Sequence, residues 1–253
     1  MIIGAQFYTL RDSCKTLEDF SESLKKVADM GYKAVQVSGT CAFEGEWLRD
    51  ELKKNGLICP VTHTKFDDIT DNTEATVAKH KIFDCSYIGL GAAPGLGSGI
   101  DVEGFLKKAV PAAKKIKEAG LKFCYHNHWQ EFVRHADGIR YIEAFCDAIP
   151  PEEMGIILDT YWVQYAGGDP VAWIRELKGR LNCVHFKDMT CAGKEQHRMM
   201  PVGEGNLNWK DIIAACADAG TEYAFVEQDD CNGEDPFDCM KRSYEFLKAQ
   251  GLE

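Results

Sequence analysis

Apolar residues along this chain gather into short, nearly continuous runs, each followed by a longer amphipathic stretch. The runs at 2–8, 33–38, 57–62, 86–91, 121–126, 154–158, 181–186 and 222–227 predict eight strands. Pieces such as ICPV, GIILD and YAFVE lack the polar alternation of a half-solvated strand. That is the pattern of a parallel sheet covered on both faces. The stretches between them carry helical spacing, and several end on a glycine that opens the next run, as in DMG-YKAVQV, KNG-LICPV, EAG-LKFCY and DAG-TEYAFV. Helix starts are marked by Asp169-Pro170 and Asp235-Pro236, and by the capping-box patterns Thr16-Leu-Glu-Asp19 and Asn208-Trp-Lys-Asp211. Eight strand-then-helix units with right-handed crossovers close into one (β/α)8 barrel, an α/β fold expected to occupy residues 1–253 as a single domain. Two irregular pieces, 91–100 and 188–206, follow strands and so belong to the face where such barrels build their sites. Within the first, GAAPGLGSG at 91–99 fits neither a phosphate-binding nor a dinucleotide pattern and reads as a flexible loop, a candidate lid.

Charge narrows the partners. With 29 Lys and Arg against 40 Asp and Glu, the net charge of −11 disfavours nucleic acid and anionic membranes. No apolar run reaches the roughly 18 to 20 residues of a membrane span, and Met1 leads into IIGAQFY without a charged segment, so a cytoplasmic chain is expected. The eleven cysteines include no C-x-x-C pair and sit mostly among apolar residues, as buried thiols in a reducing compartment do. Nothing along the chain reads as an assembly surface; barrels of this size often pair, which makes a homodimer the oligomer to expect.

Polar residues at the strand ends should meet at the barrel mouth. His126 and His128 follow strand five, Asp159 strand six, His185 strand seven and Glu227 strand eight. Each alone has an ordinary reading as a turn, cap or packing residue. Four successive strands ending in such groups point to a shared polar site, and mixed imidazole and carboxylate donors suit a divalent ion such as Mn²⁺, Co²⁺, Zn²⁺ or Fe²⁺. Strand alternation projects His126 and His128 to one side and Asn127 to the other. Glu131, farther along, offers either a further carboxylate or a solvated loop residue. Lys187 either contacts substrate or pairs with Asp188, and His63 either lines the mouth or packs. Gln6, Tyr8, Gln36 and Glu204 are polar where the mouth would be, and Trp129 and Trp162 either stack on a sugar face or pack.

LDTYW at 158–162, VHFKDM at 184–189, PVGEGNLNW at 201–209 and FVEQ at 225–228 resemble the xylose-isomerase-like superfamily of sugar and sugar-phosphate isomerases and epimerases, the Pro-x-Gly-Glu-Gly stretch most specifically. In its ketose 3-epimerases, one divalent ion is held by Glu, Asp, His and Glu from strands five to eight, and the two glutamates move protons on opposite faces of the substrate. The resemblance therefore implies Asp159, His185 and Glu227 as ligands, with Glu227 also a base. His126 stands where the fifth-strand glutamate would be, and the YHNH-x-x-EF segment looks like one branch of the superfamily. Imidazole in place of carboxylate removes a negative charge and leaves the ion a stronger Lewis acid. The expected activity is a metal-dependent isomerase or epimerase on a small carbohydrate, working through an enediolate, with Glu227 as base and His128 as acid. The alternatives are a dehydratase, hydratase or lyase on an oxidised sugar or inositol derivative, and a metal-free sugar-binding barrel; the acidic charge argues against the superfamily's DNA-repair endonucleases.

Overall fold

The computed structural model describes residues 1–95, 99–134 and 138–253. Eight parallel strands close a barrel: β1 Ile2–Gln6, β2 Ala34–Val37, β3 Ile58–Thr64, β4 Tyr87–Leu90, β5 Lys122–His126, β6 Met154–Asp159, β7 Cys183–Phe186 and β10 Tyr223–Val226. Sequential neighbours pair around the ring, and β1 closes it against β10 with Gly4 beside Phe225. The helices outside are α1 Leu17–Met30, α2 Gly45–Asn55, α3 Phe66–Thr70, α4 Thr73–Ile82, α5 Val102–Glu118, α6 Tyr141–Ala148, α7 Thr160–Tyr165, α8 Pro170–Glu176, α9 Trp209–Ala219 and α10 Pro236–Ala249. The predicted caps form. Thr16 accepts from the Asp19 amide and Asn208 from the Asp211 amide, while Asp169 and Asp235 cap the prolines that start α8 and α10.

The segment after β7 departs from expectation. Asp188–Gly193 (β8) and Gln196–Met200 (β9) form an antiparallel hairpin where irregular chain was expected. Its strands are mostly exposed, so they lack the apolar run that betrays the barrel strands. The glycine-rich loop partly lies outside the described residues, which omit 96–98.

Two apolar layers hold the barrel. Outward side chains such as Ile3, Ile88, Phe123, Tyr125, Val184 and Phe186 pack under the helices. Inside, Ala34, Val61, Tyr87, Cys124, Ile157, Cys183 and Phe225 plug the lower half. Gly4 makes room for that plug, since a Cβ there would collide with the Phe225 ring. With a side-chain period of two, the next inward position on each strand lies one layer higher, directly above the plug. The layer above therefore rests on a packed floor. All eleven cysteines are free thiols, and only Cys191 is fully exposed.

Candidate active site

The upper layer is built by that alternation: Cys124 is followed inward by His126, Ile157 by Asp159, Cys183 by His185 and Phe225 by Glu227. One ligand-type atom from each of His126, Asp159, His185 and Glu227 lies within 4.8 Å of the other three. Asp159 and His185 are fully buried, and the other two nearly so.

Each of the four is held from behind. His126 Nδ1–H donates to the Ile157 carbonyl at 3.3 Å, leaving Nε2 as its lone-pair nitrogen. His185 Nε2–H donates to Gln36 Oε1 at 2.6 Å, leaving Nδ1 free. Asp159 caps α7, its Oδ1 accepting from the Trp162 amide at 3.0 Å, and its own amide donates to Asn127 Oδ1 at 3.0 Å. Glu227 Oε1 accepts from Gln6 Nε2 at 2.7 Å. Partners of this kind fix tautomer and orientation around metal ligands. They leave Asp159 Oδ2, His185 Nδ1 and Glu227 Oε2 buried and without a hydrogen bond. His185 Nδ1 and Glu227 Oε2 approach to 2.8 Å, and with the imidazole proton on Nε2 there is none between them. Convergent unsatisfied donor atoms of this kind need a reason, and a cation between them supplies one.

Charge gives the same answer. The Lys187 ammonium, 1% exposed, lies 2.6 Å from Asp229 Oδ2 and 3.6 Å from both Asp159 Oδ2 and Glu227 Oε2. Three carboxylates and one ammonium carry two negative charges in excess, which one divalent ion neutralises. Burial pushes Asp159 up to about 7, against the pull of Lys187. Burial also works against Glu227, but the Lys187 ammonium holds its carboxyl well below the usual range. Burial pulls Lys187 down, and Glu227, Asp159 and Asp229 more than restore its charge. Burial, with neighbouring positive charge, lowers His63 to about 3 and His128 to about 4 and holds His126 well below its ordinary value, so these three imidazoles are neutral at pH 7.

A cavity of about 1110 Å³ opens above this layer. It is lined by Gln6, Tyr8, His63, His126, His128, Lys187, Glu227 and Asp229, and it spreads over the loops after β2 and β3 and over α3 and α4. The sequence candidates sort out as follows. His126, Asp159, His185 and Glu227 form the cluster; His128, His63, Lys187 and Tyr8 face the cavity beside it. Gln6 lines the cavity, but both ends of its amide are engaged, by Glu227 and by the Tyr8 amide. Trp162 stands beside the cluster with its ring 5.1 Å from the Lys187 ammonium and 5.5 Å from the His128 ring.

Three candidates lie elsewhere. A 3-10 turn at Gln130–Phe132 turns Glu131 under the loop, where Tyr125 Oη–H at 2.6 Å and the His128 amide at 2.8 Å occupy its oxygens. It braces the His128 backbone and supplies no carboxylate to the cluster. Glu204 points outward into an ion pair with Arg242 at 2.7 Å. Trp129 is 39% exposed and is not among the described residues lining the cavity.

Lys187 pairs with Asp229 and leaves Asp188 to another task. The Asp188 carboxylate accepts from the amides of Met189, Gly203, Gly205 and Leu207 and from Trp209 Nε1. The PVGEGNLNW motif is thus a cradle around one carboxylate, and a Cβ on Gly205 would collide with it. Asp229 and the orienting roles of Gln36 and Asn127 were missed in the sequence. Asp229 follows Glu227 by two, the same spacing that links His185 to Lys187, and that signal was there to be used.

Comparison with known proteins places the barrel in a family. The sequence profile described as "Xylose isomerase-like TIM barrel" matches residues 24–250. The chain belongs to that family. An inosose dehydratase of Lacticaseibacillus casei is 22% identical over 270 residues, covering 91% of this chain and 89% of that protein. Among solved structures, a sugar phosphate isomerase/epimerase from Parabacteroides distasonis superimposes with a TM-score of 0.81 at 22% identity, over 98% of this chain and 93% of that one. An L-ribulose 3-epimerase gives a TM-score of 0.73 at 14% identity, over 98% and 94%. At these identities the structural likeness speaks for the fold, within a family of carbohydrate-modifying enzymes. No helix among the described residues is long and apolar enough to cross a membrane.

Proposed function

We propose that this protein is a divalent-metal-dependent carbohydrate isomerase that removes a proton next to a carbonyl and returns it through an enediolate. The observation that carries the reading is the convergence of Asp159 Oδ2, His185 Nδ1 and Glu227 Oε2, buried and without a hydrogen bond, under a cavity. His126, Asp159, His185 and Glu227 would hold the ion. When bound it supplies a Lewis acid for the substrate carbonyl oxygen, of the kind worth several kcal/mol to such a reaction.

The side chains account for the proton. Glu227 is ionised at neutral pH and lines the cavity, so its carboxylate can take the C–H proton; Gln6 donates to Oε1 and fixes the orientation of the carboxylate. As that bond breaks, its electron pair moves to the carbonyl oxygen, and the Lys187 ammonium stands by as a fixed positive charge. Returning the proton from Glu227 to the adjacent carbon on the same face completes a 1,2-shift. His128, neutral and facing the cavity, is suited to hydrogen-bond the hydroxyl that loses or gains its proton. Replacement of the fifth-strand glutamate by His126 leaves this layer with one cavity-facing ligand carboxylate, which favours transfer on one face over the two-glutamate epimerase scheme.

A second reading is elimination. It keeps Glu227 as base; the Glu227 carboxyl then passes the proton it took to the hydroxyl on the carbon next to the enolate, which leaves as water as the enolate electrons form the carbon–carbon double bond. The inosose dehydratase relationship favours it. Incubation with keto and aldo sugars in deuterated water separates the two. Deuterium at carbon with no loss of water supports isomerisation; an unsaturated product absorbing in the ultraviolet supports elimination. Absence of both across the panel, with the ion bound, would refute proton abstraction.

A further inference from the structure

The cavity is far larger than its catalytic end requires, and its two ends differ in chemistry. At about 1110 Å³ it exceeds the roughly 300–1,000 Å³ typical of drug-sized ligand pockets, and one sugar ring beside Glu227 would leave most of it empty. Away from the cluster, the lining passes to Phe43, Phe66 and Phe83 with Ala42 and Ala75, from the loop after β2 and from α3 and α4. These rings are braced. Phe66 stacks on Phe105 at 5.2 Å and 22°, and the Lys79 ammonium sits 4.3 Å from the Phe43 ring centre.

The charges lining the cavity leave little for a phosphate. Of the lysines among the described lining residues, Lys187 lies among three carboxylates, and Lys79 is held by the Phe43 carbonyl at 2.8 Å as well as by its ring. Lys65 is exposed at the rim. Asp68, Glu227 and Asp229 line the same space. A phosphate dianion would need a cluster of committed cations, whereas this lining offers an apolar shelf.

We infer that the substrate is an unphosphorylated keto-glycoside: the carbonyl-bearing sugar ring lies over the histidine and carboxylate layer, and an aromatic aglycone rests on Phe43 and Phe66. This rests on the carbohydrate reading of the site and adds the class of substrate. Calorimetric titration of the full chain, with and without Mn²⁺, uses methyl β-glucoside, phenyl β-glucoside and glucose 6-phosphate as probes. The phenyl glucoside should bind about tenfold to a hundredfold tighter than the methyl glucoside, the range expected for burying one aromatic side chain. Ala75→Trp, which fills the shelf from the exposed face of α4, should bring that ratio close to one, and Phe66→Ala should lower it. Tighter binding of glucose 6-phosphate than of either glucoside, or no advantage of phenyl over methyl, overturns the inference. Deuterium exchange into simple keto sugars without a phenyl preference overturns this inference alone. A phenyl preference without exchange into any substrate overturns the isomerase reading and leaves the shelf standing.

Discussion

Replacing Lys187 by methionine tests the charge arrangement on which the site depends. The side chain is 1% exposed, and its ammonium stands 2.6 Å from Asp229 and 3.6 Å from Asp159 and Glu227. Methionine keeps much of the volume and removes the charge, leaving three carboxylates in one buried layer. Breaking a buried ion pair from one side costs about 3–5 kcal/mol. Two features place this case at the lower end. Asp229 is 25% exposed and can recruit water, and Asp159, already pushed up to about 7, can take a proton. A loss of about 3 kcal/mol in the metal-free protein follows, or a fall in Tm of roughly 6–12 °C for a chain of this size. A divalent ion should offset much of that loss, because it neutralises the same carboxylates and no longer meets the ammonium. Thermal melting of both proteins across a Mn²⁺ series is the assay: the rise in Tm with ion should be larger in the variant than in the wild type. A variant as stable as wild type without metal, or one that gains no more than wild type from the ion, would refute the reasoning.

Asp159→Asn keeps the oxygen that caps α7 but removes a ligand charge, so elemental analysis should find the bound ion, about one equivalent in wild type, largely lost, with circular dichroism unchanged. Retention of the ion would remove Asp159 from the ligand set. Because Asp159 holds a proton below about 7, the ion must displace it there. Apparent affinity should rise about tenfold per pH unit up to that point and flatten above it, as competition with a fluorescent chelator would record; a flat profile from pH 5 to 8, as a range of about that width, would contradict the assignment. Asp188→Asn should lower stability by about 2–4 kcal/mol, since an amide offers one acceptor oxygen and turns its own N–H groups toward donors. A lower urea midpoint at unchanged slope is the expected signature, and an unmoved midpoint would mean that the cradle contributes little.

How much of this was legible depended on whether a residue's surroundings repeat. Barrel strands recur eight times as apolar runs, and glycine stops and polar caps mark several of the helix ends between them, so their pattern stood out. The β8–β9 hairpin is mostly exposed, has no continuous apolar run and occurs once. In the site, alternation along a strand placed His126 with His128 and His185 with Lys187, because an extended backbone fixes side-chain direction. That rule ends where the backbone turns: Glu131 sits only three residues beyond His128, yet the 3-10 turn sends it under Tyr125. Motif and role also came apart. Glu204 belongs to the most specific stretch of the chain but faces Arg242, while the glycines around it wrap Asp188. A buried carboxylate enclosed by backbone amides from residues 203–207 depends on a fold of the loop that spacing alone does not reveal.

The cavity draws on the two halves of the barrel unequally. The candidate ligands come from β5, β6, β7 and the end of β10, whereas the aromatic shelf comes from the loops and helices after β2 and β3. On the proposed function, reaction and recognition are thereby written in different stretches of the gene. Variation confined to residues 39–43 and 64–83 becomes a search across substrates at constant chemistry, and a lineage could change its diet there without relearning how to move a proton.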